Sequence, residues 1–273
     1  MSTNSAFIAV NSHGWLRGFG NLLSSELARW WKTPMWWIVC LVYTILTVWM
    51  VRPWKWMNES GAVHNYSIVP CLFQAVGVVT IMQGALVSDR KQGTAAWVLS
   101  KPATRLAFVL SRLVANSLGV MATMVLLSGA ILFAAWQILG TIPPEPIPFL
   151  KTLGIIFLCQ LWYLTLTLML GALFDSQMAI LGISAGLLVL SKKLIAWFPV
   201  LRYTLPWYLM SAGDRSLSMT GVLPLMLGEP IERYVPKIVV PGIEPYIPTI
   251  LVLAVECLLF VGIALWRFSQ EEF

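Results

Sequence analysis

The residues in this chain that have chemistry to offer are few and far apart. The twelve carboxylates are scattered, and His13 and His64 lack the spacing at which imidazole groups close on a metal. Cys40, Cys71, Cys159 and Cys257 each sit inside an apolar run, where a thiol behaves as a small buried side chain and implies no disulfide framework. No stretch has the Gly-x-x-x-x-Gly-Lys-Ser/Thr pattern that cradles nucleotide phosphates. Two features remain. Lys192, Lys193 and Glu256 are charges set in otherwise apolar sequence, where an ionised group is costly and so a candidate for function. Residues 88–105, SDRKQGTAAWVLSKPATR, gather charge, glycine, tryptophan and proline between two apolar runs.

The elements that must position these groups are membrane spans. The chain is 58% hydrophobic and 11% charged, against about 25% charged in soluble domains. Uncharged intervals run over residues 33–51, 60–88, 113–144, 152–174 and 176–191, and the interval 245–266 is broken only by Glu256. A spanning helix needs roughly 20 apolar residues. The expected spans are Met35 to Val51, Ile68 to Val87, Leu113 to Leu139, Lys151 to Phe174, Met178 to about Phe198, and Ile247 to Trp266. Arg17, Arg29, Lys32, Arg90, Lys91, Lys101, Arg105, Arg112 and Arg267 then fall on one side. The short loops of the other hold only Arg52, Lys55 and Lys151, so both termini are expected in the cytoplasm. No cleavable signal sequence is expected, because the first 30 residues hold no continuous apolar core.

The expected fold class is therefore all-α integral membrane. Residues 1–34 form a tail and an amphipathic helix, 35–266 a six-helix membrane domain, and 267–273 a cytoplasmic tail. In the first part, Leu16, Phe19, Leu23, Leu27 and Trp30 recur at helical steps, with Arg17, Asn21, Ser25, Arg29 and Lys32 opposite. That pattern suits a helix lying in the interface, either as a plain anchor or with a mechanical role. Pro34 turns the chain inward, and Trp30, Trp31, Trp36 and Trp37 set amphipathic rings at head-group depth.

Deeper in, Lys192 and Glu256 are expected at similar depths on adjoining spans. Either Glu256 pairs with Lys192 or Lys193, or both lysines snorkel to the outer interface and Glu256 is protonated or bonds a nearby hydroxyl. Gly182 and Gly186 form a GxxxG step that lets two helices approach closely, between subunits or within one. Residues 199–248 hold eight of the sixteen prolines and two short apolar runs. They form either re-entrant broken helices or a stiff external loop that docks an extracytoplasmic partner.

The loop at 88–105 places Asp89 with Arg90 and Lys91, allows a turn at Gly93, presents Trp97, Val98 and Leu99 from a short helix, and ends it at Pro102. With spacing alone as the guide, those apolar residues lie either toward a partner or against the bilayer. Read together, Asp89, Gly93, Thr94, Leu99, Ser100, Pro102 and Arg105, followed by the basic Arg112, resemble the membrane subunits of the type-2 ABC exporter family. That family has an acidic residue before Gly-Thr, then an apolar patch, then Leu-Ser-x-Pro-x-x-Arg. Asp89 stands where Glu is more frequent. Glu26 followed by Lys32 to Pro34, the short inner loop Phe174 to Gln177, and the charged tail Gln270 to Phe273 extend the likeness over nearly the whole chain.

The resemblance implies that 88–105 is a coupling helix seated in a cytoplasmic ATPase, through Asp89, Gly93, Thr94, Trp97, Leu99, Pro102 and Arg105. It implies that 15–33 is the connecting helix, with Glu26, Arg29 and Lys32, and that Phe174 to Gln177 is a smaller second contact. ATP and Mg would sit on two partner ATPase subunits and no cofactor on this chain. Twelve spans would be completed by a second permease copy or a paralogue, in a prokaryotic cytoplasmic (inner) membrane. The expected function is a permease subunit, without enzymatic activity of its own, exporting an apolar or amphipathic substrate such as a lipid, drug or peptide. Alternatives are an ion-coupled secondary transporter, or an ABC membrane subunit that serves an extracytoplasmic assembly pathway without exporting. Nucleic acid is not an expected partner, since the net charge of +6 sits beside the spans, where anionic lipids account for it.

Overall fold

Wherever the computed structural model describes the chain, at residues 17–51, 74–83, 87, 104–139, 146–197 and 247–270, it is helix or short connection, with no strand among the described residues. The helices are α1 (Phe19–Lys32), α2 (Pro34–Val51), α3 (Gln74–Gln83), α4 (Arg105–Val120), α5 (Ser128–Leu139), α6 (Pro146–Leu173), α7 (Gln177–Trp197) and α8 (Ile247–Ser269). A π-helical segment, Met121–Leu127, joins α4 to α5 in one continuous rod. Three stretches are long and apolar enough to cross a membrane: Arg105–Ala135, Leu153–Leu173 and Ile250–Ser269. They mark a membrane protein. Trp36–Leu46, Gln74–Gln83 and Gln177–Leu187 are shorter apolar helices.

Contacts at the helix ends fix directions. Phe108 near the start of α4 stacks on Phe268 near the end of α8, with ring centroids 5.6 Å apart. Phe133 of α5 meets Phe149 at the start of α6, at 5.3 Å. The α4–α5 rod therefore runs antiparallel to both α6 and α8, which lie parallel to one another. α6 and α8 form the most extensive helix pair. In the apolar windows of these two helices, 72% of α6 but only 17% of α8 is buried within the subunit. α6 is thus the central post. α8 turns Leu251, Val255, Leu258, Leu259 and Trp266 outward, as suits a helix whose other neighbour is lipid.

The start of α4 departs most from the sequence expectation. Arg105 was expected as the last residue of the loop, and the apolar span after it was expected from Leu113. Instead the helix begins at Arg105, because Thr104 caps it: its hydroxyl accepts from Ala107 N–H at 3.1 Å. In the sequence the charge of Arg112 bounds the apolar run, yet the helix continues through it and buries it. At 31 residues, Arg105–Ala135 is about 46 Å long, well beyond a hydrocarbon core of about 30 Å, and the charges lie in the first turns.

The amphipathic segment forms α1 and lies lengthwise along α4. Its inward stripe is Phe19, Leu22, Leu23, Glu26, Leu27 and Trp30, with Arg17, Asn21, Ser25, Arg29 and Lys32 exposed. The stripe thus gains Leu22 and a carboxylate that apolar periodicity alone left out. The four tryptophans do not all reach the surface. Trp31 and Trp37 are exposed, whereas Trp30 and Trp36 stack at 5.0 Å, with Trp30 buried against Gly119.

Candidate functional site

The site grows from the end of the bundle where α4 begins. Gly18, with φ 84°, adopts a left-handed conformation that glycine accommodates without strain, and so turns the chain into α1. Just before it, Arg17 O accepts a hydrogen bond from Thr104 N–H at 3.2 Å, which ties the entrance of α1 to the residue that caps α4. One residue on, the Arg105 guanidinium donates to Ser269 O at the last turn of α8. Adjacent residues at the exit of the 88–105 loop thus grip two different helices.

Two turns along α4, Arg112 Nη2 lies 3.4 Å from Glu26 Oε1. The arginine side chain is 5% exposed and the glutamate 19%, so the pair is largely withdrawn from solvent. The guanidinium lies 4.3 Å from the Phe108 ring centroid, a cation–π contact, and that ring stacks on Phe268. Arg29, mostly exposed, approaches the same carboxylate at 3.9 Å. A buried arginine needs a carboxylate to be tolerated at all, and α1 carries that carboxylate on its inward stripe. One turn further along α1, Trp30 covers Gly119, where an added Cβ would come within 2.2 Å of the indole. α1, α4 and α8 are thereby locked into one unit by an ion pair, an aromatic stack and a close helix approach.

Of the expected coupling residues, Arg105 is described and belongs to this cluster; Asp89, Gly93, Thr94, Trp97, Leu99 and Pro102 lie outside the described residues. Glu26 is central, Arg29 peripheral, and Lys32 exposed in the last turn of α1. The inner loop is a tight turn in which Ser176 O accepts from Ile180 N–H and the Ser176 hydroxyl from Ala179 N–H, with Asp175 exposed.

Glu256 accepts a hydrogen bond from Trp162 Nε1–H at 2.7 Å, linking α8 to α6. Lys192 and Lys193 continue the backbone of α7, but their side chains lie outside the described part, as does 199–246. A methyl group at Gly182 or Gly186 would meet no atom of another described helix within 4 Å, so no described helix of this subunit packs on the GxxxG step. Among the described residues, no group of three or more His, Cys, Asp or Glu could hold a metal ion.

Sequence reading understated Arg112, noted only as a basic position, and did not single out Phe108, Gly119 or the Trp162–Glu256 bond. A signal existed for the first. A carboxylate in the apolar stripe of α1 demands a cationic partner, and Arg112 directly precedes the apolar span expected from Leu113.

No curated protein matches the chain. A family profile described as protein of unknown function (DUF2705) matches residues 56–273, well over half of the length. The match takes in α3 to α8 and the loop at 88–105, while α1 and its glutamate lie before it, so the matched region and the preceding helix meet at the Glu26–Arg112 pair, and the chain belongs to the DUF2705 family.

Proposed function

We propose that this chain is the membrane-spanning permease subunit of an ATP-driven exporter of the type-2 ABC kind, with six spans and both termini in the cytoplasm. Two separate ATPase subunits would bind at 88–105, and a second permease copy or paralogue would complete the path. Apolar helix faces suit an apolar or amphipathic substrate such as a lipid, drug or peptide.

The observation that carries this reading is the Glu26–Arg112 ion pair between α1 and the helix that leaves the loop. A lever works only if its output end is stiff. Displacement of 88–105 would pass into α4 at Arg105, and α1 would move with it because Glu26 and Trp30 fix it to Arg112 and Gly119. The hydrogen bond from Arg105 to Ser269 O would carry the same displacement to α8, and so to α6 through Trp162 and Glu256.

The test is co-purification with a P-loop ATPase encoded beside this chain, followed by ATPase and transport assays in vesicles. Wild-type complex is expected to hydrolyse ATP in a substrate-sensitive way. Glu26→Gln should still assemble but lose that sensitivity. Full activity of the isolated chain without any hydrolase, or labelling of cysteines placed in 88–105 by an impermeant reagent from outside, overturns the reading.

A further inference from the structure

Between Met121 and Leu127 the α4–α5 rod widens into a π-helical turn. Such turns are rare, occur often at functional sites, and persist where the carbonyls they free from α-helical bonding find other donors. Here the donors come from two other helices. Cys40 Sγ of α2 donates to Thr123 O at 3.0 Å, and Gln74 Nε2 of α3 to Met124 O at 2.5 Å. Ser128 Oγ also donates to Met124 O.

α6 packs on the same segment from another side. Its Leu153 meets Gly129, and the two helices are antiparallel. Seven residues further along α6 is Gln160; seven residues back from Gly129 is Ala122, the second residue of the π turn. Helical spacing therefore brings Gln160 to the level of that turn. Gln160 is 0% exposed, and among the described residues neither its amide nitrogen nor its amide oxygen has a hydrogen-bond partner. Among the described residues Gln74 uses only its nitrogen, and its buried Oε1 meets no partner. A buried amide with both groups idle is expensive and calls for a physical reason.

We propose that the π segment is a two-register switch. Cys40 and Gln74 hold it in the widened register. In the second register the turn closes to α-helical spacing, α5 rotates by about 100° relative to α4, and the polar groups of the turn face Gln160 instead. Gln160 is idle here because it serves the other state. The switch does not depend on the proposed function, and its test needs neither nucleotide nor an ATPase.

The test is disulfide trapping in the full-length protein in lipid vesicles, with cysteines replacing Phe133 and Phe149, whose rings meet in the present register. The background carries Cys40→Ser, which keeps a donor, and alanine at Cys71, Cys159 and Cys257. Gln74→Leu is expected to slow crosslinking by up to about fivefold, the effect of losing one net hydrogen bond. Adding Gln160→Leu should restore the parent rate, because the second register then loses its own partner. A rate unchanged by Gln74→Leu, or no recovery in the double variant, overturns the proposal. Should Gln74→Leu fail to fold, Gln74→Asn keeps the amide at shorter reach. It is expected to give an intermediate rate, and the parent rate there overturns the proposal equally.

Discussion

Arg112 on α4 meets Glu26 on α1 at 3.4 Å with its guanidinium over the Phe108 ring, and only 5% of the arginine side chain remains exposed. A cation so placed cannot be left alone. The two single substitutions should therefore differ. Glu26→Gln strands the buried charge and is expected to cost about 3 kcal/mol, while Arg112→Met leaves Glu26 with Arg29 as a neighbour and should cost less. Thermal unfolding of the purified variants in detergent would rank them, and equal losses would contradict this account.

At Gly119 the constraint is steric. An alanine Cβ would sit 2.2 Å from the Trp30 ring, so Gly119→Ala should destabilise by about 1–3 kcal/mol. Shrinking the partner ought to relieve it. Trp30→Leu with Gly119→Ala is expected to be milder than the sum of the singles, and strict additivity would show that the two do not touch.

The Trp162–Glu256 bond gives the same logic with polarity in place of volume. Trp162→Phe removes the donor and leaves the carboxylate on α8 to lose about 1.5–3 kcal/mol. Trp162→Phe with Glu256→Leu replaces both ends with apolar groups and should recover most of that loss. A double variant as unstable as Trp162→Phe alone would mean that Glu256 is needed elsewhere.

Thr104 tests the anchoring of α4. Thr104→Ala deletes the hydroxyl that accepts from Ala107 N–H and is expected to cost about 1 kcal/mol, whereas Thr104→Asp should be near neutral. Hydrogen exchange at the first turn of α4 is the sensitive readout, since fraying there speeds exchange before global stability changes.

Gly182 and Gly186 meet nothing in the described subunit. Leucine at either position should therefore leave the unfolding temperature of the monomer in detergent nearly unchanged. If a second copy packs on that face, crosslinking between copies through cysteines on α7 will fall. A large drop in monomer stability would instead place the step inside the subunit.

The sequence determined the broad outline because that outline rests on composition and period. Apolar runs bounded by charge must become helices where water is absent, and they did so with α2, α6, α7 and α8 within a few residues of expectation. Pro34 was legible for the same local reason, whereas the Thr104 cap, which starts α4 at Arg105, was not read from the sequence. Tertiary structure alone decided which charge meets which. Arg112 looked like the edge of a span until Glu26 was placed beside it, and Glu256 took Trp162, a residue 94 positions away that no periodicity connects to it. The π turn is likewise invisible in the run MATMVLL. Its carbonyls accept from a thiol and an amide of two other helices, and partners brought together only by packing leave no spacing to read.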